Sequence, residues 1–227
     1  MIVARIVEVL RGSTAPALVE VEGGERHVLK FAGAGSGPRG LLVEFIASRL
    51  ARAFGAPVPD VAPLMLPKGF PWQVGTDEFD ATVQRSFGWN LGVKYIAGAR
   101  LATPAEILAA DPGTLSLIVR ADRLLHNVDR SAANPNVLID DAGVLHAIDH
   151  DACLYFDRAL SGRAPHVFSL PARHLLAGVA ASPAAAPGDV DVAGIAAAAP
   201  DAWFDAAGLE RGAVVKALQG YIAAFDA

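Results

Sequence analysis

The first 31 residues read as a β-meander. An apolar-rich run from Ile2 to Leu10 predicts a strand, Arg11 to Pro16 a turn, Ala17 to Val21 a second strand, and Gly23-Gly24 a hairpin turn into a third strand from His27 to Phe31. The period then changes. Leu42, Phe45, Ile46, Leu50 and Phe54 recur at helical spacing and predict a helix over about 40–54, ended by Gly55 and Pro57. Residues 60–66 and 80–87 read as two more strands, and Phe87 to Tyr95 as a linker between lobes. Beyond it the pattern is mainly helical. Thr103-Pro104 caps one helix, Asp111-Pro112 starts another that runs to about His126, and further helices are expected over 171–180, 192–199 and 209–225. Ser182 to Val190 is a Pro/Ala-rich loop. The expected fold class is α+β, with a small antiparallel β lobe over residues 1–87 and a mainly helical lobe over 88–227.

Composition narrows the class. Hydrophobic residues make up 53% of the 227, ample for a core, yet no apolar run reaches the ~18 residues of a membrane span. The start, Met1-Ile2-Val3-Ala4-Arg5, has no basic region before a long apolar core, so no signal peptide is expected. The net charge of −5 argues against a general nucleic-acid binder. A single cysteine, Cys153, excludes an intrachain disulfide and a multi-Cys zinc site; it reads as a buried thiol. A cytoplasmic location fits these features. The six histidines show no tight ligand spacing.

One segment carries chemistry. Asp129 stands five residues before Asn134, and Asp149 follows after an apolar hairpin built from Val137 to Asp140 and Val144 to Ile148 around Asp141-Ala142-Gly143. Phosphotransferases of the kinase fold need this order. A base on a compact loop takes the hydroxyl proton, while an Asn and a second Asp arriving on the next hairpin hold magnesium on the nucleotide phosphates. A polar turn bonding its own backbone would explain Asp129 and Asn134 but not the hairpin. Upstream, Lys30 interrupts the apolar third strand, and a lysine there needs a partner or an anion. Glu44, on the next helix, is in the right order to pair with it. A rival reading comes from Gly35-x-Gly37-x-x-Gly40, which matches the dinucleotide fingerprint with Asp60 downstream. The preceding strand belongs to a meander, however, and no repeated βαβ pattern follows.

Taken together, Val28-Leu29-Lys30-Phe31, Glu44, Leu50 to Pro59, Asn90 to Tyr95, Asn127-Val128-Asp129-Arg130 and Ile148-Asp149-His150 resemble the HipA-like kinases, in particular their short single-chain group. The resemblance covers roughly residues 1–160 and implies a two-lobed protein-kinase-like fold. It implies that Lys30 binds ATP phosphates with Glu44 as its ion-pair partner, that Asp129 is the catalytic base, that Asn134 and Asp149 hold Mg2+, and that the Gly12-Ser13-Thr14 turn is the phosphate loop. The implied activity is phosphotransfer from ATP to a Ser/Thr hydroxyl of a protein. Transfer to a small molecule or lipid, and a nucleotide-binding pseudokinase, are the alternatives. Asp151 departs from the glycine usual two residues after the metal aspartate in protein kinases.

Overall fold

A computed structural model of the chain describes residues 1–72, 76–163, 169–180 and 190–225. These form two compact units. A β-rich unit comprises Met1–Phe45, Asp60–Tyr95 and Ala198–Leu209, and a helical unit comprises Ile46–Pro59, Ile96–Ala197 and Glu210–Ala227.

In the β-rich unit, β1 (Val3–Val9), β2 (Ala17–Val21) and β3 (Arg26–Lys30) form the expected meander. They are followed by α1 (Gly37–Ala53), β4 (Val61–Leu66), α2 (Asp77–Gln84) and β5 (Gly88–Lys94). The five strands make one antiparallel sheet in the order β1-β2-β3-β5-β4. Its edges approach each other: Ile2 bridges Met65 in parallel, and the Met65 N–H donates to the Met1 carbonyl at 2.8 Å. Val19, Leu29, Phe31, Leu64 and Leu66 fill the interior, where Phe79 of α2 meets Phe31 edge-on at 5.5 Å.

Two expectations change here. Residues 80–87 were expected to be a strand, but 77–84 form helix α2. Its start carries a helix signature: the Thr76 side chain accepts from the Phe79 N–H, and Asp77, Glu78 and Asp80 sit in the first turn. The stretch expected as a linker is mostly β5, inside the sheet between β3 and the edge strand β4. Gly92 is required there, since a Cβ would lie 2.4 Å from Leu64 Cδ1.

The helical unit takes in the end of α1 and continues with β6 (Arg100–Leu101), α3 (Pro104–Leu108) and α4 (Pro112–Leu125). β7 (Val137–Ile139) and β8 (Leu145–Ala147) form the expected hairpin and join β6 in a three-stranded sheet. α5 (Tyr155–Leu160), α6 (Val192–Ala197) and, across a return to the β-rich unit by α7 (Asp201–Ala207), α8 (Arg211–Phe225) complete the chain. α4 buries Leu115, Ile118, Val119, Leu124 and Leu125, and α8 buries Val214, Leu218, Tyr221 and Ile222. The two helices are stitched where Tyr221 Oη donates to the Leu124 carbonyl at 2.8 Å. The helix expected over 171–180 is absent; turns and a bridge to Ser131 occupy that stretch. The Pro/Ala-rich loop at 182–190 lies outside the described residues except for its last position. Among the described residues no helix is long and apolar enough to cross a membrane.

Candidate active site

In the β-rich unit, Lys30 ends β3 opposite Leu91 of β5. Its Nζ lies 2.5 Å from Glu44 Oε1 on α1, with the lysine side chain 20% exposed and the glutamate 2%. The carboxylate offsets the cost of drawing the ammonium out of water. The segment between the two is pinned by its backbone: the Ala32 N–H donates to Asn90 Oδ1 and the Gly33 N–H to Ser86 Oγ, each at 2.8 Å. A Cβ at Gly33 would come within 2.8 Å of Ser86 Oγ and the Thr82 carbonyl, so this glycine serves close packing on α2. The Gly12-Ser13-Thr14 turn is the β1–β2 connection and lies over the glycine-rich loop; a Cβ at Gly35 would stand 3.2 Å from Thr14 Cγ2. The dinucleotide reading of Gly35, Gly37 and Gly40 does not hold, because the strand before them belongs to an antiparallel sheet rather than a parallel βαβ unit.

In the helical unit, α4 ends at His126 with φ +52°, a left-handed cap that turns the chain into the loop carrying Asp129. One oxygen of Asp129, Oδ2, accepts from Asn134 Nδ2 at 2.9 Å and from Asn136 Nδ2 at 3.4 Å. The Asp129 N–H donates to Asn127 Oδ1 at 3.1 Å, and the Asn134 N–H to Ser131 Oγ at 3.1 Å. The loop thus brings Asp129 and Asn134 together as their spacing suggested. Asp149 follows β8 with φ +61°, an uncommon conformation for a residue with a Cβ and one that its surroundings must enforce. On one side the Ile148 N–H donates to the Asn136 carbonyl at 2.9 Å. On the other, buried His150 places Nδ1 3.3 Å from Ser48 Oγ.

Beneath the loop lies a network absent from the sequence expectations. Arg130, fully buried, meets Asp122 of α4 through Nε at 2.7 Å and Nη2 at 3.1 Å, and its Nη1 donates to the carbonyls of Pro135 and Asn136. Asn127 Nδ2 donates to Asp122 Oδ1 at 2.8 Å, and His174 Nε2 lies 3.2 Å from Asp122 Oδ2. Burial alone would raise the Asp122 pKa, but Arg130 and His174 outweigh it and hold the carboxyl well below its usual range. Burial likewise opposes the Arg130 charge, and Asp122 outweighs it, with Cys153 and Asp149 adding smaller attractions, so the guanidinium is held more firmly protonated than usual. The available signal was Asp122 itself, a carboxylate on the apolar face of α4 and so in need of a buried cation.

A family model for HipA-like kinases matches residues 2–207. The chain belongs to the HipA-like kinase family. This HipA-like kinase is similar to the crystal structure of a Helicobacter pylori proinflammatory kinase, CtkA, with 13% sequence identity and a TM-score of 0.53 over 96% of this chain and 92% of that one. At that identity the likeness speaks for the fold, a two-lobed kinase-like architecture. No curated protein sequence matches the chain. Family and fold together make this protein a kinase, a phosphotransferase.

Proposed function

We propose that this kinase uses ATP with magnesium to phosphorylate a Ser or Thr hydroxyl of a protein, and that it does so in the cytoplasm. One observation carries the reading: Asp129 and Asn134 are hydrogen-bonded on a single loop, with Asp149 leaving the adjoining hairpin. Lys30, oriented by Glu44, binds the nucleotide phosphates. The Gly12-Ser13-Thr14 turn offers hydroxyls and backbone N–H groups to the same phosphates. Asp129 orients the acceptor hydroxyl and takes its proton; with Oδ2 engaged by the two amides, the carboxylate is held in place for that task.

Asn134 and Asp149 are the metal-binding pair. The donor set fits magnesium: both side chains offer hard oxygens, and Asn134 points its Nδ2 at Asp129, which leaves its Oδ1 for a cation. The ion would take its other ligands from phosphate and water. When bound, magnesium supplies charge neutralisation at the phosphates.

The test is titration with a non-hydrolysable ATP analogue, with and without magnesium, for wild type and Asp149→Ala. Magnesium-dependent binding in the wild type and its loss in the variant are expected. Equal binding by both would overturn the metal assignment. An acceptor screen with radiolabelled ATP over proteins, small alcohols and lipids decides the substrate class.

A further inference from the structure

Residues 171–176 are far from the Asp129 loop in sequence but fastened to it. Ser131 and His174 form a β-bridge, the Leu175 N–H donates to the Arg130 carbonyl at 2.8 Å, and Arg173 Nη2 reaches the Val128 carbonyl at 3.3 Å. The His174 ring is buried within this strap. Its Nδ1 accepts from the Leu176 N–H at 3.1 Å, so in the neutral ring the proton sits on Nε2, which faces Asp122 Oδ2 at 3.2 Å. Asp122 Oδ1 accepts from Asn127 and Arg130 Nη2, and Oδ2 accepts from Arg130 Nε with the His174 ring edge lying 3.2 Å away as its polar neighbour.

The geometry points to His174 as a positioning residue for phosphotransfer, acting through Asp122 and Arg130 on the loop that carries Asp129. The chain of contacts is short. His174 fixes the rotation of the Asp122 carboxylate, which fixes the plane of the Arg130 guanidinium. The guanidinium holds the Pro135 and Asn136 carbonyls, and the Asn136 amide reaches Asp129 Oδ2. Removing the ring takes away the polar edge that lies 3.2 Å from the buried Asp122 carboxylate and lets each later member shift. A displacement of about 1 Å at a catalytic group can cost roughly 100-fold in rate. This inference rests on Asp129 being the base, as proposed above.

The experiment compares wild type, His174→Ala, His174→Asn and His174→Gln as full chains. Steady-state kinetics is paired with amide hydrogen exchange over residues 127–136, and exchange in α8 reports the folded unit. Glutamine keeps an N–H donor at the place of Nε2; asparagine keeps an acceptor for the Leu176 N–H but no donor for Asp122. Alanine and asparagine are expected to lower kcat by about 100-fold with little change in the KM for ATP. They are also expected to raise exchange over 127–136 with α8 unchanged, and glutamine to restore both. Wild-type exchange and kcat in His174→Ala would overturn the proposal, as would loss in all three variants together with faster exchange in α8. If the wild type binds no nucleotide, the ATP reading fails by itself, and the exchange comparison still decides whether His174 orders the loop.

Discussion

The two units each contain an ion pair at a point that matters, and the pairs are built in opposite ways. Lys30 and Glu44 meet at 2.5 Å, with the lysine side chain 20% exposed. Asp122 and Arg130 meet through two contacts, with neither side chain more than 1% exposed; Asn127 donates to Asp122, the Pro135 and Asn136 carbonyls accept from Arg130, and His174 lies 3.2 Å from the carboxylate. A lysine that is to greet an anion must keep a reachable flank, so its partner can only steady it. An arginine that is to hold a loop must be enclosed, because only enclosure makes its hydrogen bonds strong enough to fix backbone. On the function proposed above, similar charges thus serve a ligand in one unit and the chain itself in the other.

The largest test breaks the enclosed pair. Asp122→Ala leaves the Arg130 charge buried without its partner, and a loss of about 3–5 kcal/mol is expected in urea unfolding of the full chain, with turnover abolished. The double change Asp122→Leu with Arg130→Met removes the stranded charge and is expected to recover part of that stability but none of the turnover, since the Pro135 and Asn136 carbonyls still lack their donor. Recovery of turnover by the double variant would show that the pair is not needed to shape the loop.

Next in size are the groups assigned to the chemistry. Asp129→Ala is expected to lower kcat by about 100- to 10,000-fold while analogue binding and the urea midpoint hold, because only the proton acceptor is lost. Glu44→Gln probes the open pair. The lysine keeps a hydrogen-bond acceptor but loses the opposing charge, so roughly a tenfold loss in kcat/KM for ATP is expected, with a stability loss smaller than that of Asp122→Ala. A stability loss as large as that of Asp122→Ala would erase the contrast between the pairs.

How far the sequence carried these conclusions differs between the same two regions. The meander, the pairing order of Lys30 and Glu44, and the hairpin after Asn134 were legible because each depends on local chemistry: alternation, turn residues and short spacings. The Asp122 network was not, because it joins α4 to residues 127–136 and to His174, and no local pattern records that distance. Residues 171–180 show the same effect on secondary structure. Their apolar positions suit a helix, but the bonds from Leu175 and Arg173 to the Asp129 loop hold them in turns. β5 fails for another reason: Gly88 and Gly92 weaken its strand character, and it is packing under Leu64 that requires Gly92. Thr76 and the acidic first turn mark the start of α2, whereas the apolar residues among 80–87 suit a strand equally well.

The smallest expected effect uses buried histidines, one in each unit. Burial in the helical unit, with Arg158 nearby, lowers the His126 pKa to about 4 from an ordinary 6.5, and burial also lowers that of His27 in β3. In both cases the folded state favours the neutral ring. Each therefore contributes stability that is fully present above the unfolded pKa and is lost as pH falls from there toward the folded one. For His126 the window runs from about 6.5 down to about 4, above the range where Asp122, depressed from 3.8, begins to matter. The urea midpoint of the wild type is expected to fall between pH 7.5 and pH 4.5. His126→Asn, which tolerates the φ of +52° at this cap, is expected to flatten that fall. His27→Gln should flatten it less if the helical unit, which encloses its polar groups more completely, also resists charging more strongly. Equal slopes in the two variants would mean that burial penalises a new charge alike in both units, and that the difference between the ion pairs comes from their hydrogen-bond partners alone.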